Sequence, residues 1–472
     1  MSTEQTVVPR ARPFGLRRFR LAYASPAEGS RGLTRGLGVW TSTAVVVGTM
    51  IGTGIFLMPS EVALSTGTLP LALLAWVVGG VLALFGALTY AELGAALPDA
   101  GADYTYLNRG VHPVLGFLYG WRGVLIATPT SMASYAAAIA LFSSYLWPPL
   151  ADPLLTVGPV SLTPAKLLAL VLLVLVTAVN LLSVQAVGRI QLALTTLKVL
   201  ALVAVVGAGF LAIGRPKPPE AAQQLEAATY AGFLGALTAV LWAYSGWRGV
   251  LRLGSEIQDP GKNIPRSMFR GLGFTAALFL LVNIACFVAL GFSGVAGTKT
   301  PVSDALERTL GSNAADILTL MMIVSVMGTM NATVLSASRV PFAMAQDGYF
   351  FRGLSGLGTN TRAPVVSVLL FAVVATALVT TGSYRQISGL AVFLSWSFYG
   401  LGALALFRLR KLEPNLPRPV KVWGYPIVPA TFMIMAVVLT VYLYVTDPVR
   451  SSIGVGVVLV GLLFYRKRAS GA

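Results

Sequence analysis

The sequence contains little of the chemistry on which disulfide-rich proteins and metalloproteins depend. Among its 472 residues there is one cysteine, Cys286, and one histidine, His112. An internal disulfide framework and a Cys/His metal site are therefore excluded. Charged residues make up only 11% of the chain, whereas a soluble domain usually has about 25%. We predict no metal site and no cofactor, and the low charge argues against a soluble protein.

Apolar residues are abundant instead. They account for 56% of the chain, and the mean hydropathy is +0.77. Runs of about 20 apolar residues, long enough to cross a bilayer, recur from end to end. We predict an all-α integral membrane protein with twelve transmembrane helices near residues 38–65, 69–95, 114–147, 165–183, 187–213, 233–256, 269–293, 314–345, 365–382, 386–408, 425–446 and 451–466.

The basic residues are unevenly distributed along the chain. There are 34 Lys and Arg against 17 Asp and Glu, a net charge of +17, which in a soluble protein would suggest a nucleic-acid partner. Most of them fall in the N-terminal segment and in alternate loops, as the positive-inside rule requires of cytoplasmic segments. We therefore expect no nucleic-acid partner, both termini in the cytoplasm, and a multi-pass protein of the plasma (inner) membrane.

Residues 1–37 are rich in arginine and lack the apolar core of a secretory signal. An organellar transit peptide would have a similar composition. We interpret the segment as a cytoplasmic basic tail.

Glycines lie in the middle of the first apolar stretch, at Gly48, Gly52 and Gly54. Each costs about 1 kcal/mol relative to alanine in a helix. Close helix packing through small residues is one interpretation. The other is a helix break in mid-membrane, where free backbone groups face a cavity or a ligand.

A second interruption, at residues 241–248, favours the break. Both interruptions come eleven residues into their helices, a rise of about 16 Å or half the hydrocarbon thickness. Two breaks at equal depth, five spans apart, indicate an inverted 5+5 repeat of the kind found in secondary transporters. We assign 38–213 to the first repeat (helices 1–5), 233–408 to the second (helices 6–10) and 425–466 to helices 11–12.

Several motifs resemble a known family. The sequence Gly-Thr-Met-Ile-Gly-Thr-Gly-Ile-Phe at 48–56 is similar to the first-span signature of the amino acid–polyamine–organocation permeases. Residues 243–247 and 254–266 resemble their sixth-span and following-loop signature. Within that superfamily the chain is most similar, over about 38–410, to the L-type amino acid transporters and their bacterial relatives. The resemblance implies a LeuT-type fold with discontinuous helices 1 and 6, and sodium-independent, secondary active transport of amino acids by alternating access.

The resemblance also implies where the substrate binds. The substrate carboxylate is expected at the N–H groups of Thr53 and Gly54 and at the Thr53 hydroxyl, where the second half-helix presents its positive end. The ammonium is expected at unwound carbonyl groups. The full set of expected substrate-binding residues is Met50, Gly52, Thr53, Gly54, Trp242, Ser245, Gly246 and Arg248.

Trp242 occupies the position of an aromatic gate in L-type carriers. The alternative for this residue is a tryptophan that faces lipid or the protein core.

Lys198 lies near the middle of span five. A lysine at that depth costs about 2.5–3.5 kcal/mol on insertion scales. By resemblance, sodium-independent members of the family have a lysine where sodium-coupled relatives hold the ion, so Lys198, with Ser325 and Thr329, would form an ion-site mimic. A purely structural lysine is the alternative. Exchange (antiport), proton coupling and facilitated uptake all remain open.

Two arginines depart from the family pattern. L-type relatives usually have an uncharged polar residue at the position of Arg248. We expect Arg248 to pair with an acid such as Glu256 or to extend toward the cytoplasm. A cation beside the pocket would repel basic amino acids and favour acidic ones. Arg122 lies within the third span, and its role is unassigned.

Two other kinds of protein are the alternatives. A LeuT-fold carrier of an amine, polyamine or nucleobase would lack carboxylate recognition. A membrane enzyme would need clustered carboxylates, histidine or a nucleophile–base pair. The acids nearest the membrane interior, Glu92 and Glu256, fall at helix ends, so we predict that the chain is not an enzyme.

The expected partners are an amino acid substrate and the lipid bilayer. Animal L-type carriers are linked by a disulfide to a single-span glycoprotein through a cysteine between spans three and four. The corresponding loop here, Pro148 to Pro164, contains no cysteine. The resemblance therefore predicts no disulfide-linked ancillary subunit.

Overall fold

The structure, a computed structural model, describes residues 21–23, 32–157, 160–214, 229–381 and 384–465. Most of the basic tail predicted over 1–37 lies outside these ranges. The described residues are mainly helical, with helices Val39–Met50 (α1), Thr53–Thr66 (α2), Leu69–Ala96 (α3), Asp103–Gly110 (α4), Pro113–Arg122 (α5), Thr128–Leu146 (α6), Pro164–Val179 (α7), Val184–Phe210 (α8), Tyr230–Ala243 (α9), Pro260–Ala296 (α10), Pro301–Leu310 (α11), Ser312–Ala337 (α12), Arg339–Gln346 (α13), Val365–Thr381 (α14), Tyr384–Leu412 (α15), Ile427–Thr446 (α16) and Pro448–Phe464 (α17).

Seven helical segments in the described part of the chain are long and apolar enough to cross a membrane. They are α3, α5 to α6, α8, α10, α12 to α13, part of α15, and α16. The pair α1 and α2 would be an eighth, bent by 42° at its break. Shorter apolar helices are α7, α14 and α17. The protein is therefore a helical, multi-pass membrane protein.

Short strands and helical turns connect these segments. Strand Leu21–Tyr23 (β1) pairs antiparallel with Gly356–Gly358 (β4), and Leu155–Val157 (β2) pairs antiparallel with Val160–Leu162 (β3). Helices α4 and α11 belong to connections that the hydropathy pattern did not separate from the spans or loops. A π-helix, Gly123–Ala127, joins α5 to α6.

Helix α1 packs against α8, α10 and α12. Small residues permit this close packing: an added Cβ at Gly48 would lie 2.6 Å from the Thr195 hydroxyl on α8, and one at Gly271 would lie 2.5 Å from a Val46 methyl. Gly48 on α1 and Gly271 on α10 thus contribute to helix packing. Packing through small residues is typical of membrane helices, where burial of apolar surface gives little driving force.

Hydrogen bonds between buried amide and hydroxyl side chains link α8 to its neighbours. Asn331 on α12 donates to Gln191 Oε1 at 2.8 Å, and Gln191 donates to the Thr195 hydroxyl at 3.0 Å. Thr195 in turn donates to the carbonyl of Ala44 on α1 at 3.0 Å. Because unsatisfied polar groups are costly in hydrocarbon, this chain of hydrogen bonds holds α1, α8 and α12 in register beside the break.

Candidate functional site

The first helical span is interrupted at Ile51 and Gly52. Helix α1 ends at Met50 and α2 begins at Thr53. The N–H of Gly52 turns back to the carbonyl of Met50 at 2.9 Å. The first N–H groups of a helix have no acceptor within that helix, so the N–H groups of Thr53 and Gly54 are left at the positive end of α2.

A second interruption faces the first. Helix α9 ends at Ala243, a turn follows, and a 3-10 helix continues over Trp247–Leu253. The Thr49 hydroxyl donates to the carbonyl of Gly246 at 2.9 Å. Gly246 has φ +113°, and an added Cβ there would lie 2.8 Å from the Thr49 carbonyl group. A glycine is required where the two broken helices touch.

A cavity of about 650 Å³ lies beside the two breaks. All of the residues predicted to bind substrate line it: Met50, Gly52, Thr53, Gly54, Trp242, Ser245, Gly246 and Arg248. Trp242 is half-buried and lines the cavity. The structure therefore brings the predicted residues together, while their role in binding stays a prediction.

Lys198 lies behind the first break and is 1% exposed. Its ammonium donates to the carbonyl oxygens of Gly48 at 3.0 Å and Ile51 at 2.9 Å, and to the Thr329 hydroxyl at 3.0 Å. All three hydrogens of the ammonium are therefore used. Three oxygens of this kind could coordinate a cation, and the Lys198 ammonium occupies the position between them.

The two predicted partners of Lys198 differ in their contacts. Thr329 lines the cavity and donates to the carbonyl of Ile51 at 2.9 Å. Ser325 does not line the cavity, and its hydroxyl lies 3.5 Å from the same carbonyl. Ser325 therefore contacts the interrupted segment of the first span at Ile51 and makes no hydrogen bond to the Lys198 ammonium.

The expected pair of Arg248 and Glu256 is wrong. Arg248 lies 2.5 Å from Asp103 Oδ1, and its guanidinium lies 3.5 Å from the centre of the Tyr399 ring. Glu256 forms a two-pronged ion pair with Arg339, at 2.7 and 2.9 Å. The 3-10 helix rises about 2.0 Å per residue, which carries positions 248 and 256 to different levels of the protein.

Pairing with Asp103 also changes what Arg248 offers the cavity. Asp103 is completely buried and compensates the charge of the arginine. The sequence alone suggested that Arg248 would repel basic amino acids and favour acidic ones. Because Asp103 neutralises its charge, we expect this effect of Arg248 to be weaker.

Helices α6 and α15 contribute a wall of the cavity that was not predicted from the sequence. Thr128, Ser131 and Tyr135 line the cavity from α6, and Trp396 and Tyr399 line it from α15. Positions 128, 131 and 135 share one helix face at spacings of three and four. A stripe of hydroxyl groups along an otherwise apolar span was thus a signal available in the sequence.

Two further cavity residues are arginines. Arg122 is the residue that the sequence left without a role, and Arg252 lies within the predicted span 233–256. Both line the cavity.

Comparison with known proteins gives extensive matches. The sequence model of the family described as "Amino acid permease" matches residues 37–465. Large neutral amino acids transporter small subunit 2 of Homo sapiens is 30% identical over 457 residues, which cover 94% of this chain and 82% of that protein. Asc-type amino acid transporter 1 of Mus musculus is 29% identical, with 91% and 80% covered. The b(0,+)-type amino acid transporter 1 of Homo sapiens is 28% identical, with 92% and 88% covered.

The first of these names describes a small subunit, a protein that assembles with another chain. The comparisons therefore do not support the expectation that the present chain has no ancillary subunit. They do agree with the resemblance seen in the motifs at 48–56 and 254–266, and they extend it to nearly the whole chain.

Proposed function

Because the chain belongs to the amino acid permease family, we propose that it is a sodium-independent, secondary active transporter that moves amino acids across a membrane by alternating access. It is a permease and not an enzyme. The observation that carries the proposal is the pair of facing helix breaks, whose unpaired backbone groups border one cavity. Such breaks are where secondary transporters bind their substrates.

The proposed architecture has twelve spans. In the first repeat, 38–213, these are α1 with α2, α3, α5 with α6, α7 and α8; in the second, 233–408, they are α9 with its 3-10 helix, α10, α12 with α13, α14 and α15. Helices α16 and α17 lie outside the repeats. The equivalent positions of the two breaks support this LeuT-type arrangement. The basic residues support cytoplasmic termini and a plasma (inner) membrane location.

The α-carboxylate of the substrate would bind at the N–H groups of Thr53 and Gly54, with the Thr53 hydroxyl as a further donor. The ammonium would bind at the carbonyl groups of Met50, Trp242 and Ser245. The Trp242 carbonyl already accepts the Ser245 N–H at 3.0 Å and the Ser245 hydroxyl at 2.6 Å. An arriving ammonium would therefore displace the Ser245 hydroxyl, which can rotate away.

Sodium independence follows from the position of Lys198. The oxygens that would coordinate a cation behind the first break are already hydrogen-bonded to the ammonium. A sodium ion would have to displace this fixed charge.

The experiment that tests the function is uptake by proteoliposomes that contain only the purified protein. A panel of radiolabelled amino acids should enter the liposomes equally well with sodium or with potassium outside. If the protein is an exchanger, the liposomes must be preloaded with unlabelled amino acid. Uptake only with an inward sodium gradient would contradict the role of Lys198. Absence of uptake for every amino acid, with uptake of a polyamine or nucleobase, would favour another carrier of the same fold.

The same preparation tests the proposal that no disulfide-linked subunit is needed. The single cysteine, Cys286, is completely buried within α10, so it offers a partner no accessible sulfur. Full uptake by the protein alone is expected. Inactive protein that recovers transport when a co-purifying membrane protein is added would overturn this proposal.

A further inference from the structure

Arg122 is a buried cation without a carboxylate partner in the described part of the chain. It is 3% exposed and lies in the span Pro113–Leu146. One guanidinium nitrogen donates to the Ser395 hydroxyl at 3.2 Å, and the group lies 5.0 Å from the ring centres of Tyr119 and Phe398. Its Nε is buried and has no acceptor. Charges inside membrane spans are costly and are nearly always paired or part of a substrate pathway.

Arg252 is a second cation that lines the cavity, and we call Arg122 and Arg252 together the arginine wall. Arg252 donates to the Tyr119 hydroxyl at 3.1 Å, and its Nε is also buried without an acceptor. Arg122 and Arg252 both line the main cavity, and both line a small pocket of about 30 Å³ next to it. Two arginines, each with a buried donor that has no acceptor, therefore border the candidate substrate site.

The charges nearby leave this wall positive. Arg248 is compensated by Asp103. The one carboxylate that lines the cavity in the described residues, Glu61, is exposed on α2. It lies eight residues beyond Thr53, about 12 Å along the helix. Two guanidinium charges in a cavity of low dielectric attract an anion strongly.

The backbone is also unusual at this point. The π-helix begins directly after Arg122, at Gly123, and single π-helical turns are frequent at functional sites. Nothing lies within 4 Å of a Cβ added to Gly123. Gly123 lines the small pocket, and Thr128, directly after the π-helix, lines both the small pocket and the cavity.

We propose that Arg122, assisted by Arg252, binds an anionic group on the side chain of the transported amino acid. The substrate class is then the amino acids with a second carboxylate, of the aspartate and glutamate type. This inference rests on the proposed function: the α-carboxylate and ammonium bind at the helix breaks, and the second carboxylate reaches the arginine wall. A guanidinium suits this role because it binds a carboxylate through two parallel hydrogen bonds.

The test compares each acid with its uncharged amide, which has nearly the same shape. Binding of L-glutamate and L-glutamine, and of L-aspartate and L-asparagine, is measured on the purified wild-type protein. The acids should bind at least about tenfold more tightly, because hydrogen bonds to charged groups are the strong ones. Arg122→Gln should remove this preference by weakening the binding of the acids much more than that of the amides. Arg122→Lys, which keeps the charge and loses the two-pronged geometry, should retain part of it.

Arg189→Gln serves as the matched control, since Arg189 is exposed on α8, and it should keep the full preference. Wild-type protein that binds the amides as tightly as the acids would overturn the inference and leave the permease proposal intact. An undiminished preference in Arg122→Gln would overturn the assignment to Arg122. Failure of the wild-type protein to bind any amino acid would instead count against the proposed function. The wild-type comparison does not depend on the folding of any variant.

Discussion

The ammonium of Lys198 lies 2.9 Å from the carbonyl oxygen of Ile51, the residue at which the first helical span is interrupted. The same carbonyl accepts the Thr329 hydroxyl of α12 at 2.9 Å. One unwound carbonyl group is thus the meeting point of α1, α8 and α12. The shape of the break depends on a positive charge held behind it.

The first prediction concerns this charge. Lys198→Ala removes the donor from two carbonyl groups and one hydroxyl, so the break should lose its fixed geometry. We expect the uptake rate in proteoliposomes to fall by at least about tenfold. Lys262→Ala, which removes an exposed lysine, is the matched control. Uptake by Lys198→Ala at the wild-type rate would mean that the lysine is dispensable.

The second prediction concerns the contact between the two breaks. Gly246→Ala places a Cβ 2.8 Å from the Thr49 carbonyl group at a φ of +113°. The free energy of unfolding should fall by about 2 kcal/mol or more, visible as a lower thermal midpoint in detergent. Gly273→Ala, in α10 with open space around the new Cβ, should not be destabilised. Equal midpoints for the two variants would show that the contact is looser than described.

The third prediction concerns the buried ion pair of Arg248 and Asp103. Asp103→Asn leaves the arginine, whose side chain is 6% exposed, without its counter-charge. Loss of one partner of a buried pair typically costs about 3–5 kcal/mol. The double variant Asp103→Asn with Arg248→Gln should recover most of the lost thermal stability. If Asp103→Asn alone is as stable as wild type, the pair does not bear on stability.

The fourth prediction concerns Trp242, which lines the cavity beside the first break. Trp242→Phe keeps an aromatic face and should retain transport. Trp242→Ala removes it, and the substrate concentration for half-maximal uptake should rise by roughly tenfold. Trp423→Ala, a control at a residue that is 77% exposed, should have no effect. Unchanged half-saturation for Trp242→Ala would favour the core-facing alternative.

The broken first span was the most predictable part of the molecule. Gly48, Gly52 and Gly54 are too costly for an undisturbed helix, and a matching interruption exists near Ser245. Local chemistry and one recurring distance were sufficient for the break. For Lys198 the insertion cost of a central lysine drew attention to the residue, but its expected place beside the first break came from the resemblance to the permeases.

The partner of Arg248 was not predictable in this way. Asp103 is 145 positions away in sequence, and only the packing of α4 against the rest of the protein brings the two together. Glu256, the nearer acid, has its own partner in Arg339. The arginine wall was missed for a related reason: Arg122 and Arg252 are 130 positions apart in sequence, and only the fold brings both to the same cavity.

The measurement that most directly tests the account is displacement of a labelled amino acid from the purified protein by three unlabelled compounds. These are the amino acid itself, its α-carboxamide and the amine that lacks the carboxyl group. If the N–H groups of Thr53 and Gly54 bind the carboxylate, both analogues should displace the label at least about tenfold less well than the amino acid. An amine that displaces the label as well as the amino acid would contradict the central claim, because the helix break would then not bind the carboxylate.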